Sequence, residues 1–72
     1  MFFSNRKEIK LQISKERQSI KKYMEDYHEL RKLLKDKRFS NDERRMIIFE
    51  LKQTESNINY SLLEIDILIE KL

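Results

Sequence analysis

Glycine, proline, cysteine, tryptophan, alanine and valine are all absent from this 72-residue chain. Without glycine there can be no glycine-rich phosphate loop and no nucleophile elbow, and without cysteine there are no disulfides and no thiolate metal sites. A lone histidine, His28, is the only imidazole. Neither glycine nor proline interrupts the backbone, and little in the composition favours sheet turns, so the chain is expected to be all-α. The start, Met1 to Glu8, holds no apolar run long enough for a signal peptide, and the longest later apolar stretch is broken by Glu64, Asp66 and Glu70. These features predict a cytoplasmic protein with no membrane span. The missing Ala and Val, set against abundant Lys, Ile, Asn, Phe and Tyr, suggest AT-rich codons, hence a low-GC bacterium or one of its phages or mobile elements. Sequencing the surrounding locus tests this.

What is present is charge and a seven-residue apolar rhythm. Charged residues make up 40% of the chain and the net charge is +3. A domain this small draws only about 3–5 kcal/mol from a single core, so oligomerisation is the natural supplement. Asn5 followed by Glu8 resembles a capping box and opens a first helix over about residues 5–36. Its seam has Ile13, Ile20, Tyr27 and Leu34 at a and Ile9, Glu16, Tyr23 and Leu30 at d. Ser40 and Glu43 form a second capping box, so a turn is expected at 37–40 and a second helix over about 41–72. The second seam has Leu51, Ile58, Ile65 and Leu72 at a and Ile47, Thr54, Ser61 and Leu68 at d. A continuous rod is the rival to this antiparallel two-helix hairpin.

Folding the chain near residue 38 makes facing residue numbers sum to about 77. Leu30 then meets Ile47, Tyr27 meets Leu51, Ile20 meets Ile58, Ile13 meets Ile65 and Ile9 meets Leu68. Polar core positions match as well, Tyr23 with Thr54 and Glu16 with Ser61. This polar layer is read as a register device; the alternative makes Glu16 and Arg17 a partner contact. Charge agrees with the hairpin. Residues 1–38 hold twelve Lys or Arg against six Asp or Glu, while residues 39–72 hold four against seven.

The second helix carries a further apolar set, Met46, Phe49, Tyr60, Leu63 and Ile67, at c and f, on the side away from the first helix. Two uses are expected of it: a homodimer core that makes a four-helix bundle, or a groove-binding surface for another protein. Glu25 and His28 have the Glu-x-x-His spacing of di-metal bundles but fall at f and b, away from the core seam, and nothing orients His28 as a general base. No catalytic residue, metal, cofactor or small-molecule substrate is expected. The alternative function is RNA or DNA binding by basic residues of the first helix, with Lys15, Lys21, Lys22 and Lys32 as contacts.

Two resemblances accompany these patterns. A small dimeric hairpin with a basic helix is similar in architecture to the plasmid RNA-binding bundle Rop, without an alignable motif. Glu64-Ile65-Asp66 resembles the end of the Ser-Gln-Glu-Leu-Asp signature of the sporulation aspartyl-phosphate phosphatases, which are small helical hairpins. Leu62 and Leu63 replace that signature's Ser and Gln, so membership is not assigned. The function expected is a small non-enzymatic regulator, inhibitor or adaptor acting through helix faces.

Overall fold

The computed structural model describes residues 6–72. Two helices, α1 (Arg6–Leu34) and α2 (Asn41–Glu70), pack against each other as a hairpin about 55 Å long and 15 Å thick. The described residues are 88% helical and contain no strand. Asn5, expected to cap α1, lies outside the described residues.

The corner needs neither glycine nor proline because side chains close it. The Asp36 carboxylate accepts from the Arg38 backbone N–H at 3.0 Å and from the Arg38 guanidinium at 2.7–3.3 Å, an Asx-type turn. The last α1 turn tightens into i→i+3 bonds, Lys35 to Lys32 and Asp36 to Leu33. As a result α1 ends at Leu34 rather than near residue 36. At the start of α2, Ser40 and Glu43 form the expected capping box. The Ser40 hydroxyl accepts from the Glu43 N–H at 3.2 Å, and the Glu43 carboxylate accepts from the Ser40 N–H at 2.8 Å.

The hairpin seam follows the a and d positions. Ile9, Ile13, Ile47, Leu51 and Ile65 are buried, together with Ser61, which is 4% exposed. At the open end Ile9, Ile13 and Ile65 form a cluster supported by Ile20 and Leu68, the grouping required by the expected pairs Ile13 with Ile65 and Ile9 with Leu68. The register is pinned at both ends. The Arg6 guanidinium donates to the Leu72 carbonyl at 2.9 Å, and near the turn Arg44 donates to the Leu34 carbonyl at 2.6 Å. In both pairs the residue numbers sum to 78, one away from the expected 77.

The polar layer is present in burial but not in bonding. Glu16, Tyr23 and Thr54 are half-buried beside buried Ser61. The Thr54 hydroxyl donates to the Glu50 carbonyl one turn back at 2.9 Å, so it serves its own helix instead of Tyr23. The cross-helix hydrogen bond comes from the next aromatic: the Tyr27 hydroxyl donates to Glu55 at 3.1 Å.

Candidate interaction faces of the hairpin

Because the capping box starts α2 at Asn41 and the a/d seam fixes its rotation against α1, the c and f positions point away from the hairpin. The five side chains there are open to solvent: Met46 and Phe49 are each 71% exposed, Tyr60 65%, Leu63 56% and Ile67 40%. They form two patches, Met46 with Phe49 near the turn and Tyr60, Leu63 and Ile67 toward the open end, parted by Gln53 and Ser56. Narrow polar stripes bound the face. One is the b row, Arg45, Lys52, Asn59 and Asp66; the other is the g row, Glu50, Asn57, Glu64 and Lys71. Arg45 also pairs with Asp42 at 3.1 Å, both largely exposed.

Three more apolar residues, Ile48, Leu62 and Ile69, are exposed at e, beside the a row on the hairpin's flank. The sequence reading passed over them because it followed only a/d and c/f; their common spacing from Leu51, Ile58 and Ile65 was the available signal. On this flank lies a groove of about 460 Å³ lined by Met24, Tyr27, His28, Glu55, Ile58 and Asn59. The Arg31 guanidinium lies 5.9 Å from the centre of the Tyr27 ring, within cation–π range.

The basic residues of α1 divide by face. Lys15 and Lys22 share the c row with Glu8 and Glu29, and Lys32 Nζ stands 3.5 Å from the Glu29 carboxylate. Lys21 instead belongs to the b/e side with Lys10, Arg17, His28 and Arg31. That row contains no carboxylate: Glu8, Glu16, Glu25, Asp26 and Glu29 fall on c, d, f and g. Among the described residues, Lys10, Arg17 and Lys21 form no ion pair. The helix therefore separates charges that alternate along the sequence.

Three groups have shifted acidity, all at the corner, and the pKa of the Arg38 guanidinium is raised by its bond to the Asp36 carboxylate. The Arg38 guanidinium and N–H, with a weaker contribution from Arg44, hold Asp36 below the ordinary carboxylate range. The Ser40 backbone N–H, then its hydroxyl, does the same to Glu43. Both arrangements close the turn. Glu25 and His28 are exposed, and no group of three or more His, Cys, Asp or Glu among the described residues could hold a metal ion. No helix of the described residues is long and apolar enough to cross a membrane.

Compared with family models, curated proteins and solved structures, the chain matches none.

Proposed function

We propose that the chain is a small non-enzymatic protein-interaction module, a regulator, inhibitor or adaptor that docks through the outer face of α2 and acts in the cytoplasm. The observation that carries this reading is the exposure of Met46, Phe49, Tyr60, Leu63 and Ile67 on one side of one helix. Exposed apolar patches bordered by polar residues mark interaction sites on small proteins, and aromatic anchors supply most of their affinity. The polar stripes on either side would then set orientation.

A second reading, nucleic-acid binding, is favoured by the carboxylate-free row Lys10, Arg17, Lys21, His28 and Arg31. Salt separates the two. A phosphate-backbone contact weakens steeply as ionic strength rises, and each lost cation lowers the slope by about one. The test compares macromolecules retained by the immobilised native chain with those retained by Leu63→Asp and by the triple variant Lys10→Ala, Arg17→Ala, Lys21→Ala, with helicity checked by circular dichroism. Loss with Leu63→Asp alone supports the protein-docking reading. Loss with the triple variant alone, together with a steep salt slope, overturns it in favour of nucleic acid.

A further inference from the structure

We propose that the occupant of the α2 outer face is a second copy of this chain, packed parallel, α2 against α2. This rests on reading that face as a protein-docking surface and names its partner.

The need for cover comes from the hairpin itself. No side chain among the described residues is fully buried, and the buried hydrophobic core consists of five residues. Two helices meeting along one seam leave every core residue open on its flanks, and chains of this size ordinarily gain stability by association. The outer face has the spacing to supply it. Met46, Phe49, Gln53, Ser56, Tyr60, Leu63, Ile67 and Glu70 follow one another at alternating intervals of three and four, the rhythm of a coiled-coil seam.

Orientation follows from the flanking charges. In a parallel pair, each b residue lies beside the g residue five positions later in the other copy. Arg45 then meets Glu50 of the second copy and Asp66 meets its Lys71, while Lys52 meets Asn57 and Asn59 meets Glu64. Two of these flanking contacts are of opposite charge, two are charge to amide and none is of like charge; only the acids at the ends of the seam, Asp42 and Glu70, meet their own kind. In the antiparallel arrangement like rows face each other and c faces f; the register that sets Met46 against Leu63 and Phe49 against Tyr60 brings Arg45 to Asp66 but Glu43 to Glu64, one opposite-charge contact against the parallel pair's two. The polar gap is kept in either arrangement, Gln53 with Gln53 and Ser56 with Ser56 in the parallel pair and Gln53 with Ser56 in the antiparallel one, so the flanking charges choose between them. A polar layer inside an apolar seam is a known register device. A foreign helix would have to reproduce both the charge sequence and the gap; a second copy does so by symmetry. Since this seam is opposite the hairpin seam, the four helices lie in a row with the basic α1 helices outermost.

The native chain contains no cysteine, so single substitutions report proximity cleanly. Light scattering across a concentration series is expected to give twice the 9.0 kDa chain mass. Under mild oxidation Asp42→Cys and Glu70→Cys, both at exposed f positions, should each cross-link to their own kind, with no additional cross-link when the two are mixed. Arg45→Glu should weaken association about tenfold, and Glu50→Arg in the same chain should restore it. Cross-linking confined to the mixture overturns the parallel arrangement. A chain mass of 9.0 kDa at every concentration overturns the second copy altogether; the docking reading is judged separately, by whether Leu63→Asp alters what the immobilised chain retains.

Discussion

Arg44 occupies an a position of the α2 seam, where an apolar residue would ordinarily face the other helix. Its guanidinium instead donates to the carbonyls of Leu34 at 2.6 Å and Asp36 at 2.9 Å, satisfying acceptors that the end of α1 leaves without an intrahelical partner. A cation at this place also opposes the negative end of the α1 dipole. The nearby cation Arg38 is not free for that end, being held by Asp36 at 2.7 Å. Arg44→Met keeps much of the stem and removes the donors; it should lower unfolding free energy by about 1–2 kcal/mol, read from the urea midpoint. The corner carboxylates give a pH signature. Asp36 and Glu43 are both held below their ordinary range in the fold. Their contribution is therefore complete above the ordinary carboxylate range and is lost as pH falls through the lowered folded-state values. Glu43→Gln should flatten part of that acid-side loss, measured as thermal midpoint against pH.

At the scale of elements, the two helices and their register were readable because two independent signals coincided. Capping chemistry at Ser40 and Glu43 located the break, and the seven-residue rhythm located the buried face. The end of α1 was less readable, since Lys35 is a good helix former and the chain leaves the helix where Asp36 is engaged by Arg38. Burial along the seam makes its isoleucines sensitive. Ile13→Ala, in the cluster with Ile9 and Ile65, should cost about 2–5 kcal/mol. That is comparable with the whole stability of a domain this small, and circular dichroism should show a largely unfolded chain at 25 °C. A Gly-Ser insertion beside Lys37 lengthens an exposed turn and should cost well under about 1 kcal/mol, whereas Ile58→Pro, in mid-α2, should abolish the fold. If the insertion were as damaging as the proline, the two helices would not be behaving as a hairpin.

For the whole molecule, the decisive property is the distribution of unlike surfaces around a thin rod. One side of α2 meets α1, its opposite side presents Met46, Phe49, Tyr60, Leu63 and Ile67, and the b/e side of α1 presents Lys10, Arg17, Lys21 and Arg31. Salt should act on these surfaces differently: between about 0.05 M and 0.5 M, association through the apolar face should change little, while any polyanion held by the basic row should be released. The sequence alone determined that the chain is helical, where it turns, which residues make the seam and that five apolar residues lie on the far side of α2, because backbone capping and helical period are local properties. Only the tertiary structure decided that Arg44 closes the end of α1 and that Tyr27 and not Tyr23 reaches across to α2. Each of these depends on the distance and rotation between two helices, which no local pattern encodes.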